Sequence, residues 1–233
     1  MTLYSEAVDR LFSAHVAPKL WLAALAAYIA TDIALLFSET EDGSRIAVVI
    51  LSLALLVAIM IAQWKVIRSM SGAPDSQRGS IEGWISWSIL SCLIYVGIPI
   101  AIVVGIWGVD VMEHELASPL LTVGIAVMAS LVSPMLVHTT GQVIGANGIS
   151  FGKTLDGCRP FYLQLVLSYA LVLAGLWGAA DVLLSFVEPG IINAQSILLT
   201  IGYALLHFIA FILLTALMTV AWSKVSQQQH EAI

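Results

Sequence analysis

Apolar positions along the chain fall into six long runs separated by short polar segments: about Leu20–Phe37, Ile46–Trp64, Trp84–Gly108, Pro119–Val143, Phe161–Val187 and Ser196–Trp222. Each is close to the ~20 mostly apolar residues with which a helix crosses the bilayer core. The connecting segments are too short to fold separately and no internal repeat is evident. The pattern therefore predicts an all-α, polytopic helical bundle with six transmembrane helices, one membrane domain over residues 1–233. Residues 2–16 have a different periodicity. Leu3, Tyr4, Ala7, Val8, Leu11, Phe12 and Val16 share one helical face, while Glu6, Asp9, Arg10 and Ser13 share the other. This predicts an N-terminal amphipathic helix, either lying in the membrane interface or packed beneath the bundle. Pro18 then breaks the chain before the first span. The N-terminus does not read as a secretory signal, because no small-residue cleavage site closes the first apolar run.

Composition fits this picture. The 233 residues are 60% hydrophobic and 10% charged, with a mean hydropathy of +0.97, against ~45–50% and ~25% in soluble domains. So few charges cannot cover a soluble globule of this length. The same balance excludes a disordered chain and a nucleic-acid binder, which needs a basic face.

The placement of the charges orients the spans. With the N-terminus inside, the inner segments hold Arg10, Lys19, Lys65, Arg68, Arg78, Lys153, Arg159 and Lys224, whereas the outer loops hold only Arg45. That asymmetry obeys the positive-inside rule and places both termini in the cytoplasm. Outside lie Glu39, Glu41, Asp42, Asp110, Glu113, Glu115 and Glu188, an acidic rim, and the mildly basic inner face suits anionic lipid headgroups.

Two aspartates, Asp32 and Asp181, fall within spans, five and six residues from the outer ends of the first and fifth. Both spans run outward, so the carboxylates share a depth. An ionised group at membrane depth is costly and is a functional candidate by default. Tyr28 and Ser185 are their neighbours at helical spacing, and Thr122, Thr200 and Tyr203 are further polar candidates. The plainer alternative is an aspartate that reaches interfacial water or bonds a neighbouring helix.

His138 and His207 raise the question of bis-histidine haem. They sit ~19 and ~11 residues below the outer ends of their spans, an offset of ~12 Å at the helical rise of ~1.5 Å per residue. Polar packing, His138 with Thr139 and Thr140 and His207 with Tyr203, is the simpler expectation. Cys92 and Cys158 are expected to be reduced and unpaired. No CxxC, HExxH or nucleophile motif occurs, so no catalytic residue, metal site or cofactor is assigned.

Small residues at four-residue spacing, Ala26, Ala30 and Ala34 in the first span and Gly97, Ala101 and Gly105 in the third, offer smooth stripes for close helix neighbours. Pro99 and Pro134 are candidate kinks. Trp21, Trp64, Trp84, Trp107 and Trp222, at span ends, read as interfacial anchors.

The segment Gly145-Ala-Asn147-Gly148-Ile-Ser150-Phe-Gly-Lys-Thr154 imitates a phosphate-binding loop at its end, but Asn147 stands where that motif needs glycine and a membrane span replaces the preceding strand. No nucleotide is expected. It reads instead as a tight cytoplasmic turn at Gly145, Asn147 and Gly148, with Ser150 capping a short helix that Gly157 and Pro160 end. The stretch from His138 to Leu155, followed by a long apolar span, resembles the bacterial branch of the Ypt-interacting-protein (YIP) family over about residues 119–222. Those proteins have a similar Gly-x-x-Gly-x-Ser-Phe turn, short helix and two closing spans. A weaker likeness is to the membrane domain found beside glycerophosphodiester phosphodiesterases. The chain lacks the family's acidic-Leu-Tyr-Gly-Pro motif and has six spans where five are usual, so the GTPase role of eukaryotic relatives is not carried over. The resemblance implies a non-enzymatic, multi-pass protein of the bacterial inner membrane that organises partners. The leading expectation is accordingly an accessory or scaffold subunit whose partners are the bilayer and other membrane subunits. The alternatives are a small transporter or ion or proton pathway using Asp32 and Asp181, and a haem-binding electron carrier.

Overall fold

The computed structural model describes residues 2–13, 18–38, 44–71, 81–93, 124, 127, 130–145, 149–187 and 193–231, and among these the chain is all-helical. We number the helices α1 (Leu3–Ser13), α2 (Pro18–Ser38), α3 (Ser44–Ser71), α4 (Ile81–Cys92), α5 (Ser133–Ile144), α6 (Phe151–Leu184) and α7 (Ala194–Glu231). Of these, α6 and α7 are long and apolar enough to cross a membrane by length and composition. Outside the described residues lie Gly97, Pro99, Ala101, Gly105, Trp107 and Thr122, turn residues Asn147 and Gly148, and most of the acidic outer loops.

The axis of the molecule is α7, which packs against α1, α2, α3, α5 and α6. It begins at Asn193, whose Oδ1 accepts from the Ser196 backbone N–H at 2.8 Å. From Leu214 to Trp222 every residue is buried, so neighbours surround this part of the helix on all sides. Its 38 residues make it ~57 Å long at ~1.5 Å per residue, well beyond a ~30 Å hydrocarbon core.

The excess length at the C-terminal end is where α1 docks. Thr2 caps α1 by accepting from the Ser5 backbone N–H at 3.2 Å. Leu3 and Ala7 are buried against the bundle while Phe12 is 84% exposed. Glu6 clamps both Arg10 (2.7 Å) and Lys224 of α7 (2.8 Å), and Arg10 donates to Ser223 Oγ at 3.2 Å. Of the two placements that the pattern left open for α1, the structure shows the packed one.

Burial works against ionisation of Glu6, but hydrogen bonding and charge from Lys224, with the charge of Arg10, outweigh it and hold its pKa below the ordinary value. The folded carboxyl thus binds a proton less readily than the unfolded one. Its contribution is complete above the ordinary glutamate range and is lost as pH falls through the folded value. Solvent reaches the clamp, so it contributes at most about 1 kcal/mol. Glu6→Gln is expected to speed amide exchange of Leu3–Ser13 at neutral pH, and acidified wild-type protein should match it. Equal exchange at neutral pH would show that apolar contacts alone hold α1.

On α2 the inward face is Ala24, Tyr28 and Thr31, and the Thr31 hydroxyl donates to Ala27 O (2.8 Å) and Leu51 O of α3 (3.4 Å). Ala26 and Ala30 face outward. The second apolar run, expected to end near Trp64, continues in α3 to Ser71, and Lys65 and Arg68 lie over the Trp64 ring at 4.9 and 5.4 Å. Before α5 the helix is interrupted at Val132, and Pro134 occupies the first turn of the new helix, where its missing N–H breaks no bond.

Gly145 ends α5 with φ 97°, the left-handed conformation open to glycine, and its N–H returns to Gln142 O and Gly141 O. Ser150 Oγ then accepts from the Lys153 backbone N–H at 3.4 Å and starts α6. The short α-helix ends where expected, at Cys158 between Gly157 and Pro160. After Phe151–Cys158 a 3₁₀ turn, Arg159–Phe161, leads directly into Tyr162–Val172. Pro160 lies in the first turn of that new segment, and Gly157 serves close packing, since a Cβ there would stand 2.9 Å from Val225 Cγ1.

Buried hydroxyl side chains sit within the apolar core, and large apolar side chains also lie on the outside. Ser133, Thr140, Thr154, Thr200, Thr215 and Thr219 are buried, whereas Leu163, Leu167 and Leu171, one row at four-residue spacing on α6, are 60–70% exposed. Trp222, expected as an interfacial anchor, is instead 4% exposed and packed on Gly141 of α5.

Candidate functional site

Near the N-terminal end of α7, side chains from three helices converge. From α2 come Tyr28 and Asp32, from α6 Trp177 and Asp181, and from α7 Tyr203, His207 and Phe211. The His207 ring lies 4.3 Å from the ring of Tyr203 and 5.4 Å from that of Trp177, both edge-to-face, and 6.4 Å from that of Tyr28. Phe211 closes the stack beneath, 6.3 Å from Tyr28 and 5.9 Å from Trp177. Edge-to-face contacts of this kind suit the ring quadrupoles and fix side-chain orientation.

The two carboxylates border this stack. Both Asp32 and Asp181 act electrostatically on the Tyr203 phenol, and Asp32 also acts on Tyr28 one turn before it. Of the residues singled out in the sequence, Tyr28 and Tyr203 are thus joined through the His207 ring, with Asp32 and Asp181 each within electrostatic reach of Tyr203. Asp32 Oδ2 is sealed from solvent and receives no hydrogen bond among the described residues. Ser185 does not serve Asp181: its hydroxyl donates to Val182 O at 2.7 Å. Thr200 is likewise turned back, donating to Ser196 O at 2.9 Å.

Local backbone geometry sets the α6 contribution. Leu173–Trp177 forms a π turn, which inserts an extra residue and rotates the remainder of the helix by about 100° relative to an uninterrupted α-helix. Gly175 and Gly178 flank Trp177 without crowding, since a Cβ at either would meet nothing within 4 Å. The π turn therefore sets the phase in which Trp177 and Asp181 reach α7. Further along, Gly202 lets the helices close, with Leu183 Cδ1 3.1 Å from the position a Cβ would take.

His138 belongs to a different cluster at the other end of the bundle. Thr154 gives its hydroxyl proton to Ser150 O (3.2 Å), so His138 Nδ1 donates to Thr154 Oγ1 at 3.0 Å and Nε2 accepts from Gln142 Nε2 at 3.3 Å. The expected partners Thr139 and Thr140 instead bond carbonyls of their own helix, at Met135 and Leu136. Both ring nitrogens of His138 thus lie within hydrogen-bond distance of side chains, Thr154 Oγ1 and Gln142 Nε2. Among the described residues no three of His, Cys, Asp and Glu are placed to hold a metal.

The sequence pattern missed Trp177 and Phe211. Trp177 carried a signal: it is a tryptophan far from either end of its span, four residues before an aspartate and flanked by Gly175 and Gly178. Comparison with protein-family models, curated proteins and solved structures finds no match to this chain.

Proposed function

We propose that this chain is a six-span protein of the bacterial inner membrane, with both termini cytoplasmic, that provides a pathway for protons or small cations through the Asp32–Asp181 site. The observation that carries the reading is Asp32, whose Oδ2 is sealed from solvent without a hydrogen-bond donor among the described residues, one turn from a Tyr28 that lies against the rings of His207 and Phe211. Charged groups are not placed in such surroundings for stability, because desolvation of an ion costs several kcal/mol. The exposed leucine row of α6 supports a bilayer as solvent.

Asp32→Asn and Asp181→Asn, reconstituted into vesicles, are expected to lower proton or cation flux at least tenfold while leaving helicity unchanged. Flux equal to that of the native protein in both variants would end this reading.

A second reading, an accessory or scaffold subunit, is favoured by the outward-facing Ala26 and Ala30, which offer a partner helix a close approach. The likeness of the α5–α6 turn to YIP proteins supports the same non-enzymatic role. Native electrophoresis of gently extracted membranes separates the two: co-migrating subunits support the scaffold, and a particle holding this chain alone opposes it.

A further inference from the structure

We infer that the inner end of α6 binds an anionic phospholipid of the cytoplasmic leaflet, its phosphate on Arg159 and an acyl chain along Leu163, Leu167 and Leu171. This rests on the reading of the chain as membrane-spanning, and not on the pathway through the aspartates.

The depth of the site follows from the contacts of α6 with α7. With 34 residues, α6 is ~51 Å long at ~1.5 Å per residue, well beyond a ~30 Å hydrocarbon core. Gly157 packs on Val225 of α7. The preceding residues of α7, Lys224 and Ser223, are held in the polar clamp with Glu6 and Arg10 of α1. Charged clusters of this kind belong outside the hydrocarbon. The opening turns of α6 therefore lie at headgroup level, and Leu163, Leu167 and Leu171 follow into the apolar layer.

Along this stretch exposed positions recur every four residues. Phe151 and Leu155 are 42% and 41% exposed, the Arg159 side chain 77%, and Leu163, Leu167 and Leu171 60–70%. Thr154, Cys158, Leu165 and Tyr169, between them, are buried in the bundle. The one charge in the outward row thus stands where headgroups give way to hydrocarbon. A basic group above an apolar strip is the complement of a phospholipid, which carries its phosphate above its chains.

The guanidinium suits that phosphate, because its planar fork can bind two oxygens at once. Arg10 is engaged by Glu6 and Ser223, and Arg68 lies over the Trp64 ring. Arg159 gives Nη2 to Asp156 Oδ1 at 3.2 Å, in a pair exposed on both sides. Such surface pairs are weak, so a phosphate can displace the carboxylate. With Lys153, the segment Phe151–Arg159 holds two basic residues against the one acidic Asp156, which favours an anionic lipid over a zwitterionic one.

Native mass spectrometry tests this on the full chain, extracted in mild detergent from vesicles of equal parts phosphatidylglycerol and phosphatidylcholine. The native chain should retain phosphatidylglycerol in preference. Arg159→Gln should lower that retention about fivefold, the effect of one basic residue at an anionic surface, with helicity unchanged. Asp156→Asn should raise it, and Leu167→Ser should lower retention of both lipids. Inorganic phosphate should not displace the lipid, since it has no chain for the leucine row. Retention unchanged in Arg159→Gln or lowered in Asp156→Asn overturns the inference, as does displacement by inorganic phosphate or a second copy of the chain covering the row. A chain that stays in alkaline-washed membranes without lipid preference defeats the inference and leaves the spans standing. Release by that wash without detergent defeats the membrane reading itself.

Discussion

Gly141→Val is expected to destabilise the bundle by about 3 kcal/mol, the upper part of the usual range for overpacking. Gly141 of α5 lies against the indole of Trp222, so closely that a Cβ would stand 2.6 Å from Cε2. Trp222 is 4% exposed within the fully surrounded stretch of α7 and has no room to retreat. Alanine decides between two effects. Removing a mid-helix glycine stabilises a helix by about 1 kcal/mol, whereas the overlap costs about 1–3 kcal/mol, so Gly141→Ala should also melt earlier, by a smaller margin. Trp222→Leu should relieve both variants, making the double variant Gly141→Ala, Trp222→Leu more stable than the sum of the single effects. Thermal melts in detergent measure this. A Gly141→Ala melt at or above that of the native chain would show that α5 and α7 are not held in this contact.

The same contact shows what the residue pattern made legible. Helical class followed from apolar runs and low charge, and the turn between α5 and α6 from Gly145 and Ser150, because those features depend on local backbone chemistry. Trp222 was legible only as a tryptophan at a span end. Whether it meets headgroups or a glycine depends on Gly141, 81 positions earlier in the chain, and no local rule connects them. Asp32 and Asp181 were legible as a pair because equal depth is a matter of counting. Their meeting through Tyr203 required the azimuth of each helix, and for α6 a π turn resets that azimuth between Tyr162–Val172 and Gly178–Leu184. Hydrophobic periodicity cannot register such a shift in a helix that is apolar on every side.

The double variant Asp32→Asn, Asp181→Asn should be more stable than the native protein and transport nothing. If the aspartates serve structure, tying α2 and α6 to α7, their loss weakens the bundle and any fall in flux is a consequence of misfolding. If they serve the pathway, the fold bears a carboxylate at Asp32 whose enclosed oxygen has no donor among the described residues, and a neutral amide would relieve it. Asparagine keeps the shape of aspartate, so little packing is lost. Replacing buried ionic groups by neutral ones of similar volume is often neutral or stabilising by about 1–4 kcal/mol, and loss of function for gained stability is the recurrent signature of a site that works under strain. The expected result is therefore a higher melting temperature in detergent at neutral pH together with abolished flux. A double variant that melts earlier than the native chain would return both aspartates to a structural role.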